Sequence, residues 1–133
     1  MIEEFRLLKK EGYRSVSVID DNFMWGEERI LEICEGIKDL KIQWGCLARA
    51  DHITERVVRS MAQAGCQYID LGAESFDQAV LDYIHKDLKA EKIYKAIGEI
   101  VARAEVKAQK ARRLEESGSD EAALAIERSQ LQF

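Results

Sequence analysis

Lys41-Ile42-Gln43-Trp44-Gly45-Cys46-Leu47 followed by Arg49-Ala50-Asp51 is the stretch that decides the fold. Its first part is a short apolar run of strand type, and its end is abruptly charged. The same arrangement recurs on both sides. Upstream, the β-branched run Ser15-Val16-Ser17-Val18-Ile19 ends in Asp20-Asp21-Asn22, and downstream Gln67-Tyr68-Ile69-Asp70-Leu71-Gly72 ends in Glu74-Ser75. The three runs start at residues 15, 41 and 67, a constant spacing of 26 residues. That is close to the roughly 30 residues of a strand–helix–strand unit.

The intervals carry helical periodicity. Residues 27–38 place Ile30, Leu31, Ile33, Cys34 and Ile37 on one stripe. From Thr54, a suitable N-cap, Val57, Val58, Met61 and Ala62 form another, and Gly65 closes that helix. A helix over 2–11 with Ile2, Phe5 and Leu8 on one face precedes the first strand, and one over 77–84 follows the third. Strands alternating with helices of this length predict right-handed crossovers and a parallel sheet. From residue 90 the pattern changes to one long helix, with Ile93, Ile97, Ile100, Ala104, Ala108, Ala111 and Leu114 at helical spacing. A turn at Ser117-Gly118-Ser119-Asp120 and a last helix to about Gln130 would complete a hairpin. The expected architecture is α/β: a partial βα barrel of parallel strands over residues 1–97 and a C-terminal helical tail over 98–133. The chain has 133 residues, against about 250 for a complete eight-fold barrel, so only half a barrel is accounted for.

Composition narrows the class. With 47% hydrophobic and 34% charged residues the chain has the balance of a globular domain. A net charge of −5 disfavours attraction to nucleic acid backbones, and no apolar run approaches the ~20 residues that span a bilayer. No secretory leader is legible at Met1-Ile2-Glu3-Glu4, so the expectation is a cytoplasmic protein without nucleic-acid or membrane partners. The three cysteines, Cys34, Cys46 and Cys66, match no metal knuckle and read as small buried residues. His52 and His85 lack ligand spacing and read as surface or helix-end residues. Trp25 and Trp44 read as core or rim packing, and the Lys107, Lys110, Arg112, Arg113 group as a solvated helix face.

Parallel βα architectures bind ligands at the carboxyl ends of their strands. All three ends here are polar: Asp20-Asp21-Asn22, Arg49-Ala50-Asp51 and Glu74-Ser75. Taken singly, Asp20, Asp21, Asp51 and Ser75 read as caps of the helices that follow. Taken as a set, and above all in Arg49 and Glu74, they read as a ligand site. They offer carboxylates for an amine or for ribose hydroxyls, and a guanidinium for a carboxylate.

The segments Asp20-Asp21-Asn22-Phe23, Trp44-Gly45-Cys46-Leu47-Ala48-Arg49-Ala50-Asp51, Ala64-Gly65-Cys66 and Gly72-Ala73-Glu74-Ser75-Phe76, with Leu81 and Ile84 ahead of Lys86, resemble the radical S-adenosylmethionine superfamily. The resemblance is to its cobalamin-linked and methylthiotransferase-like oxidoreductases, and it covers residues 1 to about 97. It implies a partial barrel in which a CxxxCxxC loop holds a four-iron, four-sulfur cluster and S-adenosylmethionine is cleaved reductively. It also implies that Asp21, Asn22, Arg49, Glu74 and Ser75 face the cofactor. The sequence departs from the family in two ways. The CxxxCxxC loop is absent, the chain beginning within what would be the first barrel helix, and the residues after about Val101 do not continue the barrel. The expectation is therefore a fragment of an iron–sulfur oxidoreductase that is inactive alone and binds neither cofactor stably. The alternative is a non-catalytic binding or assembly module. A separate iron-free enzyme ranks last, since no nucleophile and base pair is visible. Half a barrel leaves sheet surface uncovered, so the helical tail would pack over the open side or two copies would pair. A homodimer is expected, with Val16, Val18, Ile42 and Ile69 buried.

Overall fold

Three strands start where a β-branched or aromatic run follows a helix-stopping glycine or a left-handed residue. Gly12 at φ +92° precedes β1 (Ser15–Val18), Lys41 at φ +49° precedes β2 (Gln43–Ala48), and Gly65 at φ +92° precedes β3 (Cys66–Leu71). In the computed structural model, which describes residues 1–20 and 23–116, they form one parallel sheet in the order β1-β2-β3. β1 pairs with β2 in the register Ser15 to Gln43 through Val18 to Cys46. β2 pairs with β3 from Trp44 to Cys66 and from Gly45 to Tyr68, with a register shift between Trp44 and Gly45.

The helices are α1 (Ile2–Lys10), α2 (Glu27–Ile37), α3 (Glu55–Gln63), α4 (Gln78–Tyr83) and α5 (Ala90–Glu116). Short 3-10 turns at Lys38–Leu40 and Ala50–His52 join them to the sheet. The expected order of helices and strands is observed, and so is the parallel α/β class. The turn and last helix expected from Ser117 onward lie outside the described residues. The division expected at residue 97 falls inside α5, which runs unbroken through it.

One face of the sheet carries the core. Trp44, Cys46 and Cys66 pack beneath Phe5 of α1, Ile30, Ile33, Cys34 and Ile37 of α2, and Val57, Val58 and Met61 of α3. Trp44 anchors this layer. It is 1% exposed, its indole Nε1 donates to the carbonyl of Ala64 at 2.9 Å, and Phe5 and Phe23 meet its ring edge-on. The first half of α5 extends the layer through Ile93 and Ala96, packing on α3 and on the 3-10 turn at Ala50–His52. Val18 and Ile42 are buried, and Val16 and Ile69 half-buried. Val16, Val18 and Ile69 face the chain's own helices, so their burial needs no second copy.

The opposite face has no helix over it among the described residues. Period-2 alternation sends Ser17, Gly45 and Tyr68 to this side in one row, and Leu47 and Asp70 in the next. Tyr68 and Ser17 are hydrogen-bonded across the row, hydroxyl to hydroxyl at 2.5 Å. The tyrosine ring lies flat over Gly45, where a Cβ would overlap it.

Candidate functional site at the carboxyl ends of the strands

A cleft of about 250 Å³ opens where β2 and β3 end, walled by Met24, Leu47, Arg49, His52, Asp70 and Lys86. It is the expected location, and its charged residues come from three places. Arg49 leaves the end of β2, Asp70 projects from the open face of β3, and Lys86 sits in the connection between α4 and α5.

Arg49 is fully engaged. Its Nε and Nη2 form a two-pronged contact with the Asp51 carboxylate at 3.1 and 2.9 Å, and Nη2 also donates to the carbonyl of Asp87 at 3.1 Å. The paired guanidinium holds the Asp51 carboxyl below its ordinary range, and the carboxylate holds Arg49 above its own. Asp51 therefore orients the arginine and does not cap the next helix. That task falls to Thr54, whose Oγ1 accepts from Val57 N at 3.2 Å and donates to Glu27 at 3.0 Å.

Glu74 sits at φ +61°, a left-handed conformation that non-glycine residues seldom adopt, and its carboxylate pairs with Lys86 at 3.0 Å. His85, next to that lysine, is also left-handed at φ +55°. Two uncommon backbone conformations flanking one ion pair describe a clasp between the β3–α4 and α4–α5 connections. Ser75 does not line the cleft, and its Oγ accepts from Asp77 N at 3.0 Å. The cap of α4 is Asp77, bonded to Ala79 N at 2.7 Å, so Ser75 is not the expected helix cap. Asp20 is not one either, since α2 begins at Glu27 after Gly26. Asp21 and Asn22 lie outside the described residues.

Of the residues expected to face a ligand, the cleft thus takes in Arg49, and places Glu74 at its edge through Lys86. Three lining residues were missed. Asp70 is exposed and makes no hydrogen bond or ion pair among the described residues. A lone acid inside an otherwise uncharged strand was the signal for it. His52 ends a helical turn as expected, but also lines the cleft, with Trp25 edge-on to its ring at 6.1 Å. Trp25 itself is 70% exposed at the rim. Lys86 is the third, brought in by the fold of the α4–α5 connection.

The cysteines stand apart from the cleft. Cys34, Cys46 and Cys66 are buried and unbridged under the helices. Burial pushes the Cys34 thiol up to about 11, against a smaller opposing hydrogen bond from Ser60. It pushes Cys46 up to about 12, with the neighbouring Cys34 and then Asp70 adding to the rise. Cys66 is raised further by the same cause. Thiols held protonated in this way are poor nucleophiles and poor ligands. Among the described residues no group of three His, Cys, Asp or Glu side chains could hold a metal ion. The residues present do not fit an iron–sulfur cluster. No helix among the described residues is long and apolar enough to cross a membrane.

No family model and no curated protein matches the chain.

Proposed function

We propose that this chain is the central part of a radical S-adenosylmethionine barrel, lacking the cluster loop and inactive alone, whose strand-end cleft is the seat of the cofactor's polar groups. The observation that carries the reading is the cleft itself. It lies at the carboxyl ends of parallel strands and brings Arg49, Asp70 and Lys86 to one opening, with Asp70, unpaired among the described residues, offered to a cation or to hydroxyls. In this reading the three strands are consecutive strands of a larger barrel, the open face is its interior, and the protein is cytoplasmic. When isolated, two copies would pair over that face. Bound S-adenosylmethionine would present an ammonium and ribose hydroxyls to carboxylates, and a carboxylate to a cation. Among the described residues of the cleft, Asp70 is suited to the first, and Lys86 to the second in exchange for its pairing with Glu74.

The test is anaerobic iron–sulfur reconstitution of the purified chain, followed by absorbance in the charge-transfer region and titration with S-adenosylmethionine. The expected result is no stoichiometric cluster, with weak cofactor binding that Asp70→Asn lowers further. A stoichiometric cluster would overturn the assignment of the three cysteines to packing.

A second reading, a non-catalytic assembly module, is favoured by the engagement of Arg49 with Asp51 and Asp87 and of Glu74 with Lys86. It treats these contacts as clasps that hold the α4 region. Absence of any cofactor binding, together with loss of stability in Lys86→Met, would select it.

A further inference from the structure

The charges around the strand-end cleft are not balanced. Arg49 and Lys86 line it, yet each is met by a carboxylate that does not. Asp51 holds Arg49 in a two-pronged contact, and Glu74 holds Lys86 at 3.0 Å. Asp70 lines the same opening and has no such partner among the described residues. Both cations are therefore offset from outside the cleft, and the charge left over is the carboxylate within it.

The two ion pairs are unlike. Arg49 is fixed by its bonds to Asp51 and by a further one to the carbonyl of Asp87. The Lys86 ammonium carries three donors and spends one of them on Glu74 Oε1. Lys86 is 23% exposed and Glu74 52% exposed, so the lysine faces the cleft while the acid that offsets it stands toward solvent. Glu74 reaches that place from a left-handed backbone at φ +61°.

We propose that Glu74 sets the charge preference of this cleft: with Glu74 ionised beside Lys86, the opening takes a small organic cation, a primary ammonium on an apolar stem, and holds off carboxylates. The ammonium meets Asp70, and the stem lies against Met24 and Leu47. A carboxylate approaching Lys86 meets the like charges of Glu74 and Asp70, and must displace the first of them. This inference rests on the reading of the cleft as a ligand site, though not on which cofactor fills it.

The test uses the full chain and two probes of similar shape, a fluorinated benzylammonium and a fluorinated phenylacetate, followed by fluorine NMR at low salt. The parent should bind the ammonium about tenfold more tightly, the difference that one charge-assisted contact makes. Glu74→Gln keeps the size and an acceptor for Lys86 but removes the charge. It should raise carboxylate affinity about fivefold with the circular dichroism spectrum unchanged. Adding Lys86→Met should cancel that gain, which a mere loosening of the β3–α4 connection would not do. Lys86→Met alone leaves Glu74 unopposed and should widen the preference for the ammonium by about threefold, a measure that needs no glutamine variant. An unchanged ratio in a folded Glu74→Gln chain overturns the proposal, as does a parent that prefers the carboxylate or a Lys86→Met chain whose preference narrows. A parent that binds neither probe overturns it together with the reading of the cleft as a ligand site. The expected ratios without any binding of S-adenosylmethionine uphold it and sink only the cofactor assignment.

Discussion

The two faces of the sheet are made by the same three strands and have opposite characters. On the covered face Trp44, Cys46 and Cys66 are almost inaccessible, and their polar atoms are hydrogen-bonded internally or kept protonated. On the open face Tyr68 is 39% exposed, Leu47 is 42% exposed, and Asp70 is a carboxylate without a hydrogen-bond or ion-pair partner among the described residues. Stability therefore resides on one face, and the capacity to meet something else resides on the other. Burial of apolar surface supplies the first, whereas exposed polar groups on a sheet add little to folding.

That division can be broken most directly at Trp44. Trp44→Ala should cost about 3–5 kcal/mol in urea unfolding, since it removes a large buried ring and leaves the Ala64 carbonyl unpaired. A loss below ~1 kcal/mol would mean that the covered face is not the core. Next comes Gly65, whose φ of +92° and whose Cβ position 2.6 Å from the Ile42 carbonyl both exclude a side chain. Gly65→Ala should cost roughly 1–3 kcal/mol by the same assay. Thr54→Ala removes the cap of α3 and its link to Glu27, for an expected loss of about 1 kcal/mol. On the open face, Tyr68→Phe removes the hydroxyl bonded to Ser17 and should cost about 0.5–1 kcal/mol. A larger loss there would show that the open face is also part of the stable unit.

The smallest effect at neutral pH is that of the thiols, which is nil. Their folded values lie above the ordinary 9.0, so the folded state retains protons that the unfolded chain has released. The unfolding free energy should be independent of these groups below about pH 9. It should fall as pH rises from there through about 11 for Cys34 and 12 for Cys46. Cys46→Ala should flatten that decline in unfolding midpoints measured across the alkaline range. The same burial predicts that the native chain resists thiol-specific alkylation at pH 8, whereas the urea-unfolded chain reacts at three sites.

Much of this architecture was legible in the chain. The constant spacing of three apolar runs, each ending in charge, marks consecutive parallel strands, because a crossover helix needs a fixed length to return to the same sheet. Helical stripes and Thr54 place the helices to within a residue or two, since periodicity and capping are local. Local chemistry also misled. Asp20, Asp51 and Ser75 have the residue types of caps, yet Gly26, Thr54 and Asp77 occupy those positions. Asp51 was diverted by an arginine two residues away, a pairing that outcompetes helix ends once the strand has turned.

By itself, the sequence determined the order, period and parallel sense of the elements and the role of three cysteines as small buried residues. All of these follow from spacing and polarity along the chain. Only the tertiary structure decided which face of the sheet is covered, and that Asp70, His52 and Lys86 share the opening with Arg49. Those facts depend on how helices far apart in sequence divide the two faces and edges of one sheet. Period-2 alternation names two faces but does not say which will be buried.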